Sequence, residues 1–328
     1  MLTVKSIVTF YFRYILRRPA LVNRALFYIP NWRGLFRTAL NEINFLLRRD
    51  QGFRITSVVV ELSGQCNLNC LHCARHQAMT REQGLMTWET FETLVKNNPD
   101  IPMFILVGWG EMMLHPDFFR MVEFLRQKGK RVALTTNATL LTRERIEKLV
   151  TSGLSHITFS VDGLDDVYQK MRGIPFEKVE RNIIALAERI RQTGADIFLE
   201  INCVGHPDVL QQEKEIRQRL GPYLDDIRFS SFMEYNMLVP TNRSSPCREF
   251  WRGMISVLHD GRVVPCCMDY NASMVLGHIS EGSLNSLWNN PVTRGLRREQ
   301  LRLEFKRRCA TCYENEPPAQ SGINKRFD

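Results

Sequence analysis

Residues 61–73 read Glu-Leu-Ser-Gly-Gln-Cys-Asn-Leu-Asn-Cys-Leu-His-Cys and bring Cys66, Cys70 and Cys73 onto one short stretch. The stretch follows a β-branched run that predicts a strand. Three thiolates on one loop can hold three irons of a cubane iron–sulfur cluster and leave the fourth iron open, whereas a closed structural site needs four ligands. The spacing therefore predicts an iron centre that takes a further ligand, with a zinc or redox trio as the alternative.

The composition indicates a large globular protein. The chain has 328 residues, of which 44% are hydrophobic, and this is enough for a sizeable buried core. Its nine cysteines occur in small groups, which indicates metal binding in a reducing cytoplasm and disfavours disulfides. Three parts are predicted: a basic, aromatic, amphipathic helical extension over residues 1–52, a barrel domain over 53–240 and a small cysteine-rich module over 241–328.

The amino-terminal part carries most of the positive charge. The formal net charge is +9, and residues 1–50 hold nine lysines and arginines against only Glu42 and Asp50, a net +7. No apolar run there approaches the roughly 20 residues that cross a bilayer. Two interpretations stay open: amphipathic helices on an anionic membrane, and helices packed on the body of the protein. No motif that reads nucleic acid accompanies the charge, so nucleic acid is not an expected partner.

From Phe53 onward, short β-branched runs alternate with amphipathic stretches, as is typical of repeated βα units. A single helix is predicted over Pro207–Leu220, where Gly221-Pro222 ends it. The pattern predicts six strands: Thr56–Glu61, Pro102–Val107, Arg131–Thr135, His156–Val161, Asp196–Val204 and Ile227–Phe232. Six parallel strands with helical crossovers predict an α/β fold, a partial (βα)6 TIM-like barrel whose chemistry lies at the carboxyl ends of the strands.

The C-x3-C-x2-C pattern, with His72 before its last cysteine, resembles the signature of the radical SAM superfamily. The resemblance implies a [4Fe-4S] cluster on Cys66, Cys70 and Cys73, with S-adenosylmethionine on the open iron and His72 near its adenine. Gly108-Trp109-Gly110-Glu111 resembles the GGE motif that binds the amino group of this cofactor, with Trp109 in place of a glycine.

Further strand-end motifs extend the resemblance. Thr136-Asn137 resembles the TNG turn, although Ala138 replaces its glycine, and Ser160-Val161-Asp162-Gly163 is close to the S-x-D-G run. A guanidinium group can bind a carboxylate with two parallel hydrogen bonds, so Arg172 is expected at the carboxylate of the cofactor. Asn202, on the fifth predicted strand, is expected at the ribose of the cofactor. In all, the resemblance implies cofactor-binding roles for His72, Gly108, Gly110, Glu111, Asn137, Ser160, Arg172 and Asn202.

The carboxyl-terminal part contains a second group of cysteines. Met254 to Val264 alternates and turns at Asp260-Gly261, which predicts a β-hairpin that leads into Cys266. The arrangement resembles the twitch or SPASM module of radical SAM enzymes. The resemblance implies one auxiliary [4Fe-4S] cluster on Cys247, Cys266, Cys309 and Cys312, with Cys267 as the spare neighbour. A zinc site made of the same cysteines is the alternative.

The resemblance also implies a reaction. S-adenosylmethionine is cleaved to methionine and a 5′-deoxyadenosyl radical, which abstracts a substrate hydrogen atom. Dehydrogenation of a small-molecule, sugar or lipid-linked substrate is expected, because an auxiliary cluster can accept an electron. Epimerisation with Cys203 or Cys267 as hydrogen donor is the first alternative. A peptide-modifying maturase is less favoured, because residues 1–52 lack the alternating strands of a peptide-binding domain. A non-catalytic iron–sulfur electron-transfer protein is the alternative from another class.

The expected partners follow from this chemistry. An electron donor such as flavodoxin or ferredoxin is needed to reduce the cluster. The expected location is the cytoplasm, with peripheral contact on the inner membrane face as one interpretation of residues 1–52.

Overall fold

The computed structural model of the protein describes residues 32–232, 241 and 243–312. The described strands form one sheet in the order β6-β5-β4-β3-β2-β1-β7-β8-β9. Their bounds are β1 Ser57–Val60, β2 Met103–Leu106, β3 Arg131–Thr136, β4 His156–Ser160, β5 Phe198–Val204, β6 Asp226–Ser230, β7 Met254–Val257, β8 Arg262–Val264 and β9 Gly277–His278. Strands β1 to β6 pair in parallel. The predicted partial barrel of six parallel strands is confirmed, and each strand was predicted to within two residues at either end.

Helices connect the strands and cover the outer face of the sheet. Their bounds are α1 Trp32–Leu46, α2 Ala74–Gln77, α3 Trp88–Lys96, α4 Phe118–Gln127, α5 Arg143–Thr151, α6 Asp165–Arg172, α7 Phe176–Thr193, α8 Pro207–Gln211, α9 Glu213–Leu220, α10 Leu284–Trp288 and α11 Pro291–Leu301. Thr87 and Thr142 cap α3 and α5, since each side chain accepts a hydrogen bond from a backbone amide of the first turn. No helix among the described residues is long and apolar enough to cross a membrane.

Two details differ from the predictions. The single helix predicted over Pro207–Leu220 is wrong, because it divides at Gln212 into α8 and α9. The side-chain oxygen of Gln212 accepts a hydrogen bond from the backbone amide of Leu164, 2.8 Å away. The residue at the helix break therefore contacts the loop after β4. The predicted hairpin is present as β7 and β8, but β7 also pairs in parallel with β1. The hairpin therefore continues the barrel sheet.

The sheet has an apolar core on each side. The larger core lies between the sheet and the helices, and it takes alternate residues of the strands, such as Val58, Phe104 and Ile157. The smaller core lies on the inner face of the barrel and consists of Val59, Met103, Ile105 and Ala133. Strands buried on both faces are typical of parallel α/β sheets, which explains the continuous run of valines in β1.

The inner face is polar along β4 to β6. His156 and Glu200 are fully buried there, and His156 Nε2 lies 3.4 Å from Glu200 Oε1. The same carboxylate oxygen accepts hydrogen bonds from Thr158 at 3.0 Å and from Arg228 at 3.2 Å. A buried carboxylate needs such partners because an unpaired charge is costly away from water. The barrel is therefore apolar along β1 to β3 and polar along β4 to β6.

Helix α1 packs at the amino-terminal ends of the strands. Asn41 is almost fully buried, donates to the carbonyl of Arg54 at 2.7 Å and accepts from the amide of Phe53 at 2.7 Å. The ring of Phe45 lies 5.4 Å from that of Trp251, just before β7. These contacts hold the lead-in to β1. The remainder of the predicted helical extension, residues 1–31, lies outside the described residues.

Replacing Asn41 tests this attachment. We expect Asn41→Ala to lower the free energy of unfolding by about 1–3 kcal/mol, because it leaves the part-buried amide of Phe53 and the part-buried carbonyl of Arg54 without their side-chain partner. Urea unfolding followed by circular dichroism measures the change. The matched control on the same helix, Asn44→Ala, is expected to stay within about 0.5 kcal/mol of the wild type. Equal stability of the two variants would contradict the assignment.

Candidate active site

The three-cysteine loop begins at the carboxyl end of β1 and ends where α2 begins. Cys70 is buried, and Cys66 and Cys73 are half-buried. Burial raises the pKa of Cys66 and raises that of Cys73 to about 11. Because their pKa values lie above the ordinary range, the thiols of Cys66 and Cys73 are protonated at neutral pH in the metal-free protein, and a bound metal would have to displace their protons.

The strand-end motif after β2 packs directly on this loop. A side chain at Gly110 would come within 2.2 Å of the carbonyl oxygen of Ser63, and one at Gly108 within 2.5 Å of the Glu61 side chain. The amide of Glu111 donates to the carbonyl of Gln65 at 2.8 Å. Glycine is therefore required at both positions by close approach, and the motif holds the loop in place.

Glu111 is almost fully buried and joins the ends of β2 and β3. Its carboxylate accepts hydrogen bonds from Thr136 Oγ1 at 2.8 Å, from the amide of Asn137 at 2.8 Å and from the amide of Met113 at 3.1 Å. Burial raises the pKa of Glu111 above its ordinary value in spite of these bonds. The predicted contact of Glu111 with the amino group of the cofactor stays a prediction. Within the protein, its carboxylate connects the ends of β2 and β3 by hydrogen bonds.

Asn137 connects the end of β3 to the cysteine loop. Its side-chain nitrogen donates to Asn67 Oδ1 at 3.0 Å and lies 3.9 Å from Cys66 Sγ. Asn67 in turn donates to Thr139 Oγ1 at 2.8 Å. The turn after β3 therefore orders the loop between the first two cysteines.

A charged network lies on the other side of the loop. Asp162 is fully buried, and its Oδ2 lies 3.1 Å from His72 Nε2 and 2.5 Å from Arg172 Nη2. Burial disfavours the charge of Asp162, but the Arg172 guanidinium and the hydrogen bond from His72 lower its pKa to about 2. Arg172 Nη1 also lies 3.7 Å from Cys70 Sγ. Two residues predicted to bind the cofactor therefore meet at one carboxylate beside the cysteine loop.

Several polar atoms around the loop have no hydrogen-bond partner among the described residues although they are buried. They are His72 Nδ1, Tyr168 Oη, Arg172 Nε and Asn202 Oδ1. Ser160 lies beside Asn202, because the two are paired in the register of β4 and β5. Buried polar atoms are normally satisfied. The unsatisfied atoms fit a polar ligand next to the cysteines, as S-adenosylmethionine would be.

The second cysteine group also comes together. Cys247, Cys266, Cys309 and Cys312 line one small cavity with Phe250, Met268 and Met274. Arg243 Nη2 lies 3.8 Å from Cys312 Sγ. Four soft thiolates in an apolar cavity fit an iron–sulfur cluster. Cys267 is exposed and does not line this cavity. Its role as the neighbour that does not bind the cluster stays a prediction.

Neither cysteine group is arranged around a single ion. Among the described residues, no three His, Cys, Asp or Glu side chains are placed to hold one metal ion.

Trp109 joins the two cysteine sites, which the sequence did not predict. Its backbone amide donates to Glu61 Oε2 at 3.1 Å, and its indole nitrogen donates to the carbonyl of Cys267 at 3.1 Å. The indole also contacts the ring of Tyr270 edge-on, with 5.6 Å between the ring centroids. The only signal in the sequence was the departure from the GGE pattern at this position.

Glu61 anchors the same interface from the barrel side. Its buried carboxylate lies 2.7 Å from Arg81 Nη2 and 3.2 Å from His259 Nδ1 of the hairpin. Burial opposes its charge, but the hydrogen bond from His259 and the charge of Arg81 hold its pKa below the ordinary value. Nothing in the pattern around Arg81 or His259 predicted this contact.

The two candidate hydrogen donors lie in different surroundings. Cys203 is fully buried in the core between the sheet and the helices, and burial raises the pKa of its thiol. This position does not favour donation to a substrate on the inner face. Cys267 is exposed beside Trp109. A larger cavity, between α7 and the start of β5, lies away from all of these residues.

Comparison with known proteins agrees with this geometry. A family model described as the radical SAM superfamily matches residues 60–220, and one described as an iron-sulfur cluster-binding domain, SPASM, matches residues 247–313. The chain belongs to the radical SAM superfamily and carries a SPASM domain. These domains imply [4Fe-4S] clusters and S-adenosylmethionine as the cofactors of this radical SAM protein.

Relatives of this radical SAM protein are enzymes of several kinds. It is 31% identical to the AdoMet-dependent heme synthase of Methanosarcina barkeri over 58% of the chain and 52% of the relative. It is 23% identical to an S-adenosyl-L-methionine-dependent 2-deoxy-scyllo-inosamine dehydrogenase of Niallia circulans, over 71% and 82%. The chain thus spans about half the length of the heme synthases it matches.

The fold of this radical SAM protein also resembles solved structures. The crystal structure of BtrN in complex with AdoMet and 2-DOIA superimposes with a TM-score of 0.56 at 18% identity, over 80% of this chain and 93% of the other. At this identity the likeness concerns the fold. It supports the partial barrel.

The buried Asp162 network can be tested through stability. We expect Asp162→Asn to lower the free energy of unfolding of the cluster-free protein by about 3–5 kcal/mol at pH 7, because Arg172 stays buried without its partner. A depressed carboxyl pKa stabilises the fold above the ordinary aspartate value and loses this effect as the pH falls through the folded value. The difference should therefore be complete at pH 7 and shrink from about pH 4 towards pH 2.

Anaerobic urea unfolding at several pH values measures this difference. The double variant Asp162→Asn with Arg172→Met should recover part of the loss, because it removes the uncompensated charge. Asp208→Asn is the matched control, since Asp208 pairs with Lys170 at the surface, and it should change stability little. A pH-independent difference would show that the effect comes from packing.

Proposed function

We propose that this protein is a radical SAM dehydrogenase of a small-molecule, sugar or lipid-linked substrate. The observation that carries the proposal is the presence of two cysteine sites that Trp109 and Glu61 connect. The site at the carboxyl end of the barrel has three cysteines and would leave one iron open to a further ligand, whereas the site in the carboxyl-terminal module has four cysteines. A dehydrogenase needs an acceptor for the electron that remains on the substrate after the hydrogen atom has been abstracted. The auxiliary cluster at the second site would be this acceptor. A relative described as a dehydrogenase, which this chain matches over most of its length, supports the same reaction class.

The protein's own residues have separable parts in this reaction. Cys66, Cys70 and Cys73 would hold the first cluster, where bound S-adenosylmethionine is cleaved to methionine and a 5′-deoxyadenosyl radical when an electron arrives. His72, Gly108, Gly110, Glu111, Asn137, Ser160, Arg172 and Asn202 would bind and orient this cofactor. Cys247, Cys266, Cys309 and Cys312 would hold the auxiliary cluster.

The net chemistry is balanced. The substrate loses one hydrogen atom to the radical, which becomes 5′-deoxyadenosine, and then one electron and one proton, which leaves a new double bond. The electron for cofactor cleavage comes from a donor such as flavodoxin or ferredoxin, and the electron from the substrate leaves through the auxiliary site. We place this reaction in the cytoplasm, with peripheral contact on the inner membrane face through residues 1–52.

Iron content and cofactor cleavage test the two sites separately. Anaerobically reconstituted wild type should contain about eight irons per chain and release 5′-deoxyadenosine with a strong reductant. The triple variant of Cys66, Cys70 and Cys73 to Ala should keep about four irons and lose cleavage. Cys309→Ala with Cys312→Ala should also keep about four irons and still cleave S-adenosylmethionine. Zinc at both sites with no cleavage would refute the proposal.

Epimerisation is the second candidate, and the exposed thiol of Cys267 favours it. A thiol that returns a hydrogen atom carries deuterium in heavy water, so an epimerised product would gain one carbon-bound deuterium. A dehydrogenated product would be lighter by two hydrogen atoms, and mass spectrometry of a metabolite extract turned over in heavy water separates the two. Cys267→Ser should leave dehydrogenation and cofactor cleavage unchanged, with the buried Cys203→Ser as the comparison. Loss of product with cleavage retained would instead favour epimerisation.

A further inference from the structure

Helix α1 exposes an apolar face. Its solvent side carries an apolar stripe, made of Phe36, Ala39, Ile43, Leu46 and Leu47, which recur at helical spacing. Four of these side chains are large and well exposed: Phe36 at 53%, Ile43 at 45%, Leu46 at 66% and Leu47 at 58%. A surface helix normally turns its apolar face to the core and its polar face to water. This helix instead attaches through Asn41 and leaves its apolar stripe outside.

The stripe is a concentration of exposed apolar residues. The other large exposed hydrophobic residues of the described chain, apart from Phe53 beside Phe36, are scattered: Leu71, Leu85, Val275, Val292 and Leu303. Isolated exposed hydrophobic residues are ordinary, whereas a contiguous group marks a contact surface. The apolar stripe is therefore a candidate contact surface.

The charges around the stripe are positive. Arg33 lies exposed near its start, and Arg48 and Arg49 lie exposed at its end. The two acidic residues of this part of the chain are engaged with arginines of the body: Glu42 pairs with Arg248, and Asp50 lies 3.1 Å from Arg294 and 2.8 Å from Arg298. The stripe is therefore bordered by cations whose acidic neighbours are already neutralised.

The positive charge beside the stripe favours one of three possible binding partners: residues 1–31, a second copy of α1 or an anionic membrane. Residues 1–31 contain five lysines and arginines and no acidic residue, so they are not complementary to the arginines beside the stripe. A second copy of α1 would present the same positive border. An anionic bilayer is complementary both to these arginines and to residues 1–31, and its acyl region accepts the apolar side chains. We infer that the apolar stripe of α1 docks on the surface of an anionic membrane.

The place of α1 in the fold sets the orientation of the docked protein. Arg37 donates to the carbonyl of Asp100, just before β2, at 2.8 Å, and Asn41 and Phe45 contact the residues before β1 and β7. The stripe thus lies at the amino-terminal ends of the strands, whereas the cysteine loop follows the carboxyl end of β1. The reaction site therefore faces the cytoplasm when the stripe is on the membrane, which favours a water-soluble substrate over a lipid-linked one. This inference deepens the proposed peripheral contact and rests on that part of the proposed function.

Vesicle binding of the full-length, reconstituted enzyme tests the inference. We expect co-sedimentation with phosphatidylglycerol-containing vesicles, none with phosphatidylcholine alone, and weaker binding as salt rises. The triple variant Ile43→Gln, Leu46→Gln and Leu47→Gln, which keeps good helix formers, should bind at least about tenfold more weakly. Arg48→Gln with Arg49→Gln should bind about 30-fold more weakly, since each cation near an anionic surface contributes roughly fivefold. Val292→Gln, an exposed apolar position on α11, should bind as the wild type does.

Three results would overturn the inference. They are no binding of the wild type, equal binding of the triple variant, and a wild-type oligomer that the triple variant dissociates without any vesicle binding. Circular dichroism and 5′-deoxyadenosine release, read in the same samples, show whether each variant is folded. Vesicle-bound wild type should release 5′-deoxyadenosine at the rate of the free enzyme, because its reaction site faces water. For the wild type, absent docking with intact cleavage refutes this inference alone, and intact docking without cleavage refutes the radical chemistry alone.

Discussion

The parallel pairing of β1 with β2 on one side and β7 on the other is the constraint on which the rest of the structure depends. It makes the carboxyl-terminal hairpin part of the barrel sheet, so the module cannot move independently of β1. Glu61, directly after β1, then brings Arg81 and His259 to one buried carboxylate. Because a buried carboxylate is costly without partners, the cysteine loop and the hairpin are held to one another, and both cysteine sites keep a defined relation.

Buried carboxylates recur at this end of the barrel with different tasks. Glu61 ties the module to the barrel, Glu111 clamps the ends of β2 and β3, and Asp162 gathers His72 and Arg172. Each one accepts bonds from groups on separate elements. The strand ends that surround the cysteine loop are thus preorganised before any cofactor binds, which is what a site that must shield a reactive radical from water requires.

The two ends of the barrel have different surfaces. The carboxyl end holds glycines in close contact, buried charges and the thiols, whereas the amino end carries α1 with its exposed apolar stripe and arginines. The cysteine loop at the carboxyl end follows the general use of such barrels, in which loops at the carboxyl ends act and the opposite face stabilises.

The sequence by itself determined the six-stranded barrel, the cysteine groups and the family, because periodicity and close spacing are local properties of a chain. Only the tertiary structure decided which distant residues meet: His259 at Glu61, 198 positions apart, and Trp109 at the carbonyl of Cys267, 158 apart. It also decided that Cys203 faces the helix-packed core and that α1 turns its apolar side outward. Such contacts depend on how whole elements pack, and no short pattern encodes that arrangement.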